Sequence, residues 1–274
     1  MAEEIKLMTV SLETTSSIDY PRILLTGEWL IELGFLPETL VSAVYDNGVL
    51  TLKAQGTGMD QYSRLVPELR RKKGQLFQVL YTNRNKGNTI SGTYTRCQFL
   101  DLDIYGTFLS RLGFRADNLL IVHSSHKQIL IKKLEPQDLG LNNDMTLTTY
   151  LVRQRVICNK TVPAITLDGK WLDDAGFKIN TSAHITYEDD GHTMIFTPHP
   201  HQQPVRRGAF PKYLNFNRKW CYDIYVPRVR FSGQWLADVG YQIDDPLVLA
   251  YRHNKIILKK LDLSKFFDEA PLTN

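Results

Sequence analysis

Apolar residues along this chain fall into short alternating runs that stop at glycine, and one arrangement of them returns four times. In Arg22-Ile23-Leu24-Leu25-Thr26 and in Ala164-Ile165-Thr166-Leu167-Asp168, apolar and β-branched side chains fill a run that ends at Gly27 or Gly169. So short a run closed by glycine predicts a strand rather than a helix. The residues that follow predict a helix of about two turns, with Trp29, Leu30 and Leu33 on one side and Gly34 where a helix ends in a left-handed residue. A hairpin comes next, Val41 to Tyr45 and Val49 to Lys53 around Asp46-Asn47-Gly48, because Asn-Gly between two such runs is a strong hairpin signal. Turns at Ser124-Ser125-His126, Asp189-Asp190-Gly191 and His253-Asn254 hold the same place further on. A further run precedes each motif, at Lys6 to Leu12, Leu76 to Tyr81, Thr146 to Val152 and Trp220 to Val226. Each repeat is thus predicted as strand, strand, short helix, strand, strand.

The four copies are PRILLTGEWLIELGF (Pro21 to Phe35), CQFLDLDIYGTFLSRLGF (Cys97 to Phe114), PAITLDGKWLDDAGF (Pro163 to Phe177) and PRVRFSGQWLADVGY (Pro227 to Tyr241). Their first glycines, Gly27, Gly106, Gly169 and Gly233, are separated by 79, 63 and 64 residues. Intervals this regular mean one supersecondary unit used four times. Trp29, Trp171 and Trp235, with Phe108 in the remaining place, sit one residue before Leu on the short helix and read as core plugs rather than a stacking platform. Glu135 to Asp144, acidic and rich in turn formers, is the preferred boundary. It yields two domains, 1–138 with a polar linker at 56–75 and 139–274 with a Pro- and Arg-bearing linker at 198–219.

Composition supports this division. A chain of 274 residues that is 43% hydrophobic and 23% charged has room for two ordinary soluble cores. Cys97, Cys158 and Cys221 show no CxxC spacing and lie in or just before motif strands, which predicts small buried hydrophobes in a reducing cytoplasm. The N-terminal MAEEIKLMTV has no apolar targeting segment and no run approaches membrane length, so a cytoplasmic protein without a membrane partner is expected.

Charge changes the picture more than composition does. The net charge is only +4, yet Met1 to Gly58 holds three Lys or Arg against eight Asp or Glu, which leaves +9 for the rest. The stretch from Arg70 to Arg96, including Arg84, Lys86 and Arg96, holds seven cations and no acid. Thr146 to Lys160 adds Arg153, Arg155 and Lys160, again without an acid. His201 to Arg230 adds Arg206, Arg207, Lys212, Arg218, Lys219, Arg228 and Arg230 against Asp223 alone, with Phe210, Tyr213, Phe216 and Trp220 among them. Cations with interleaved aromatics suit a phosphate backbone and unstacked bases, and Trp220, outside the motif, is the best aromatic ligand candidate. The first repeat departs from this: its equivalent segment, ETTSSIDY from Glu13 to Tyr20, has no cation. Basic loops are also commonly solvated surface.

Catalytic chemistry is thinly represented. His199 and His201 beside Arg206 and Arg207 form the one cluster that could supply a general acid or base near a cationic stabiliser, and no other repeat duplicates it. The seven histidines show no repeated metal-ligand set. Asp101 and Asp103, or Asp173 and Asp174, read as solvated carboxylates. Nucleophile elbow, phosphate-cradling loop and dinucleotide fingerprint are all missing, so no metal and no cofactor is expected.

The motif frame resembles the core of the SymE family of type I toxins, with its P-x-I-x-L-x-G-x-W-L-x-x-A-G-F pattern, and covers the core of all four repeats. That family is related to AbrB-type swapped-hairpin β-barrels. The resemblance implies a mainly β fold of two pseudo-dimeric barrels, each made by two interlocked repeats, and a partner that is RNA or DNA. It further implies either a toxin or regulator that binds nucleic acid through basic loops, or an RNA-cleaving toxin. Four repeats in one chain depart from a family whose members carry one and dimerise, so a monomer with fused repeats is expected, with further self-association left open. An interaction module for a protein or small anionic ligand is the alternative of a different class.

Overall fold

The computed structural model describes residues 4–15, 18–57, 65–67, 69, 74–88, 93–188, 192–204 and 211–266, and the backbone alone for 4, 15, 81–98, 263 and 264. The alternating runs form strands and the fold is mainly β. Its first compact unit runs to Leu134 and takes in the 3-10 turn Leu263–Phe266, and the second is Glu135–Asp262. The break thus falls just ahead of the expected 138/139 boundary, and the described part of the C-terminal tail packs with the first unit rather than the second.

In the first unit the strands are β1 (Glu4–Thr9), β2 (Ser11–Thr15), β3 (Ile18–Thr26), β4 (Leu40–Asp46), β5 (Val49–Gly56), β6 (Gln75–Asn88), β7 (Thr93–Tyr105), β8 (Leu119–Ser125) and β9 (Gln128–Lys133). They form a nearly closed, barrel-like antiparallel sheet in the order β1-β8-β9-β5-β4-β6-β7-β3-β2. The second unit has β10 (Thr146–Leu151), β11 (Arg153–Ile157), β12 (Lys160–Asp168), β13 (Ser182–Tyr187), β14 (Thr193–His199), β15 (Tyr213–Asn215), β16 (Asn217–Cys221), β17 (Ile224–Ser232), β18 (Pro246–Arg252) and β19 (Lys255–Lys260). Its six-stranded sheet, β10-β18-β19-β14-β13-β15, and four-stranded sheet, β11-β12-β17-β16, reproduce the order of the first unit. Strands β15 and β16, parted only by Phe216, stand in for the single long β6.

Within each unit the two repeats are laced into one another. Strand β3 pairs with β7 so that Leu24 faces Asp103, and β12 pairs with β17 so that Thr166 faces Arg230. Each of these pairs consists of equivalent positions, three residues before the motif glycine. The motif glycines then bond reciprocally: Gly27 N–H donates to Leu100 O and Gly106 N–H to Pro21 O, while Gly169 N–H donates to Pro227 O and Gly233 N–H to Pro163 O. A second reciprocal set involves Val10, Val79, Val152 and Phe216, all buried. Val10 N–H donates to Asn118 O and Val10 O accepts from Asp117 N–H; Val79 does the same with Thr39 and Glu38, Val152 with Asp245 and Asp244, and Phe216 with Thr181 and Asn180. In every case the partner belongs to the other repeat of the same unit.

The recurring glycine and aromatic have a structural reason. Each first glycine has positive φ, 128° at both Gly27 and Gly169, 106° at Gly106 and 145° at Gly233. A Cβ at Gly169 would meet Trp171 Cδ1 at 2.9 Å, because the indole lies across the glycine and donates from Nε1 to Asp168 O at 3.0 Å. The helix that follows is one turn, not the two expected: Trp29–Glu32, Thr107–Arg111, Lys170–Asp174 and Gln234–Asp238. It stops early because Gly34 N–H bonds Ile31 O and Phe35 N–H bonds Leu30 O, a Schellman closure that satisfies the last carbonyls. Phe114, Phe177 and Tyr241 close their helices on Leu109, Leu172 and Leu236 in the same way, and all these side chains are buried. The tryptophans are half-buried plugs packed against the cores, and Phe108 is buried.

Two other expectations change. The presumed loop 198–219 contains β15 and β16, because Leu214 and Phe216 are buried by the sheets they join. The run from Trp220 to Val226 is not one strand: Cys221 pairs with Ile224 across a two-residue turn at Tyr222-Asp223.

Gly169→Ala is expected to destabilise the second unit by roughly 1–3 kcal/mol, the cost of a strained non-glycine backbone. Gly106→Ala, where a Cβ meets no atom within 4 Å, should cost its unit less, and urea unfolding of the two variants measures the difference as the share due to the indole. Burial pushes the Tyr187 phenol up to about 12 from the usual 10.0. The stability contributed by its un-ionised form is therefore complete below pH 10 and lost as pH rises through about 12, which absorbance of tyrosinate during alkaline titration will follow.

Candidate nucleic-acid interface

The four-stranded sheet of the second unit is built from two hairpins. β11 turns into β12 at Cys158-Asn159, with φ of 49° and 60°, and β16 turns into β17 at Tyr222, with φ 45°. Joined through β12 and β17, the sheet has β11 and β16 at its outer edges. Because side chains alternate along a strand, the registers put Arg153 and Arg155 of β11, Lys160 of β12, Lys219 of β16, and Arg228 and Arg230 of β17 on one face. Contacts across the strands agree with that face. Arg155 Nη1 donates to Ser232 Oγ at 3.2 Å and Arg230 Nε to Thr166 Oγ1 at 3.1 Å.

One carboxylate shares the face. Asp168 accepts from Lys219 Nζ at 3.0 Å and lies 3.7 Å from Arg228 Nε. Among the described residues no ion pair is made by Arg153, Arg155, Lys160 or Arg230, and β11 is exposed along its whole length. Tyr150, at the border of the face, has its phenol raised, first by burial and then by Asp168, with Arg153 and Arg228 pulling the other way. Six of the expected cations thus converge although they come from two sequence windows and four strands.

The remaining candidates fall elsewhere. Arg218 and Trp220 are on the reverse face of the β16–β17 hairpin, by the same alternation. Lys212 is exposed at the entry to β15 in the other sheet, where its carbonyl accepts from Ile185 N–H. Arg84, Lys86 and Arg96 are on the paired strands β6 and β7, with Arg84 opposite Cys97 and Arg96 opposite Asn85, and their side chains lie outside the described residues. Arg206 and Arg207 also lie outside them.

The corresponding sheet of the first unit carries acids at two of the matching positions. Asp101 and Asp103 occupy the positions that Arg228 and Arg230 occupy in the second unit. Asp103 is not a free solvated carboxylate: it holds Arg22 through both oxygens at 2.8 and 2.7 Å, while Arg22 Nη1 bonds Glu13 at 2.5 Å. The Asp103 hydrogen bonds are the main cause of the raised Arg22 pKa. Asp101 is buried, at 4% exposure.

His199 ends β14, and His201 follows two residues later. His199 Nδ1 is 3.0 Å from His201 O, its ring stands edge-on to Tyr213 at 5.4 Å, and the two imidazoles are 6.4 Å apart. Gln203 N–H donates to Ser182 Oγ at 2.9 Å and Asn215 Nδ2 to Gln203 O at 2.9 Å, which fixes the chain after β14. His199 itself lines a cleft together with Lys178, Thr181 and Asn254. Among the described residues no three His, Cys, Asp or Glu side chains converge as metal ligands, and no helix is long and apolar enough to cross a membrane. Cys158 is exposed and Cys221 half-exposed, contrary to the burial expected of them, because both sit at hairpin ends rather than in motif strands.

No protein-family model, curated protein or solved structure matches the chain. Its chemistry has to be read from the face itself.

Asp168→Asn should leave Lys219 and Arg228 uncompensated. The variant is expected to elute from a heparin column at higher salt than the wild type, and elution at the same salt would mean that Asp168 does not moderate the face.

Proposed function

We propose that this chain is a cytoplasmic nucleic-acid-binding protein, a SymE-like regulator or toxin, that contacts the phosphate backbone through the cationic face of β11, β12, β16 and β17. The observation that carries the reading is the convergence of Arg153, Arg155, Lys160, Lys219, Arg228 and Arg230 on one face against Asp168 alone. A rigid sheet holds the cations in a spaced array, and such an array gains affinity by releasing the counterions condensed on a polyanion. The proposal includes a swapped-hairpin, pseudo-dimeric barrel for each compact unit. It is supported by strand pairing that alternates between repeats, β1 with β8 and β4 with β6, and by the reciprocal bonds of the motif glycines. RNA cleavage is the other activity the resemblance implies, with His199 and His201 as its candidate residues.

Replacing Arg153, Arg155 and Arg230 together by Ala should weaken binding to duplex DNA about tenfold or more at low salt. The log–log salt slope should become shallower by about 0.9 for each phosphate that is no longer neutralised. A wild-type slope near zero in anisotropy titrations would refute the backbone reading and leave a protein or small anion as the partner.

A further inference from the structure

The hairpin of β16 and β17 has a different chemistry on each side. One side carries Lys219, Arg228 and Arg230 of the cationic face. The reverse side carries Trp220 and Tyr225, a directly opposed cross-strand pair whose rings meet edge to face at 4.8 Å and 68°. The Arg218 guanidinium stands 5.2 Å from the Tyr225 ring centre. These rings are left in water: Trp220 is 59% exposed, Tyr225 51%, and Tyr222 at the tip 92%. Burying side chains of this size would stabilise the fold, so their exposure forgoes stability. Tyr222 also adopts φ 45°, a left-handed setting that is unfavourable for a bulky L side chain. The fold does not demand aromatics here. At the pseudo-equivalent β11–β12 hairpin the same three positions hold Val156, Cys158 and Thr161, and there the small Cys158 takes the left-handed setting, with φ 49°.

We infer that this hairpin selects single-stranded over duplex nucleic acid. The inference rests on the polyanion reading above and adds the state of the ligand. Phosphates lie along the cationic side, and unpaired bases fold over the open β16 edge to stack on Trp220 and Tyr225, with Arg218 adding a cation beside the stacked rings. A duplex keeps its bases paired inside and engages only the cations. A single strand engages both sides of a ribbon two strands wide.

The test uses the full chain and a dye-labelled oligonucleotide of mixed sequence, about 20 nucleotides long, a length above the usual single-strand site size. It is supplied as single-stranded DNA, as single-stranded RNA and as duplex DNA, with anisotropy read at one fixed salt. Trp220→Leu and Tyr225→Leu should each weaken single-strand binding about tenfold and change duplex binding by less than about twofold, as loss of a base-stacking ring predicts. Trp220→Phe, which keeps a stacking surface, should recover most of the loss. Equal losses for single strand and duplex, or no loss in either, overturn the inference and leave the backbone reading standing. If the wild-type chain binds no form of the oligonucleotide, both readings fail and the exposed rings are assigned to a protein contact.

Discussion

Four buried residues, Val10, Val79, Val152 and Phe216, each give and accept a backbone hydrogen bond across to the opposite repeat, and the rest of the fold hangs on that exchange. The residue that closes each exchange, Glu38, Asp117, Asn180 or Asp244, has φ between 61° and 66°. At this point the incoming strand must leave one sheet and enter another. In the second unit this is the passage from β10 to β11 at Val152 and from β15 to β16 at Phe216. A strand that changes sheets strands an N–H and a C=O with no ladder partner, and leaving either group buried and unmade costs about 1–3 kcal/mol. The left-handed residue turns the partner loop so that both groups are met. Neither repeat can supply this from its own chain, which is why a single copy has no complete core.

That constraint also creates the candidate surface. Once past the crossing residue, each strand folds back on its own motif strand as a hairpin, and two hairpins meet through β12 and β17. The pairing depends on backbone alone, so the outward side chains of the sheet are free to vary. In the first unit they form a compact ion network around Arg22. In the second they form the cationic array and, on the reverse of one hairpin, the exposed rings.

Much of this was legible in the sequence. Periodicity exposed the four repeats, the glycine-stopped strands and hairpins such as that at Asn47-Gly48, where the φ values of 48° and 82° suit a tight two-residue turn. The helix length was overestimated because Leu-Gly-Phe reads as the end of an amphipathic stretch, whereas the Schellman closure reaches back to Leu30 and leaves room for one turn. The left-handed position after each helix had a faint signal in Asp117, Asn180 and Asp244, residue types that tolerate that conformation, but Glu38 breaks the pattern. The cationic windows were visible as composition; that Arg218 and Trp220 face away from Lys219 was not, since 198–219 reads as a loop and the alternation exists only because Asn217–Cys221 is a strand. Asp101 and Asp103 were misread for a similar reason: the arginine that Asp103 binds, Arg22, lies in another repeat.

Joining the repeats in one chain has a consequence at the centre of each unit. Across an exact dyad every side chain must meet its own image, so an arginine on the axis would confront an arginine and a leucine a leucine. Here the axial partners are Leu24 with Asp103 and Thr166 with Arg230, combinations that no assembly of identical subunits can present. Covalent linkage thus frees the two halves from obligatory self-complementarity, so that matched positions carry Asp103 in one unit and Arg230 in the other.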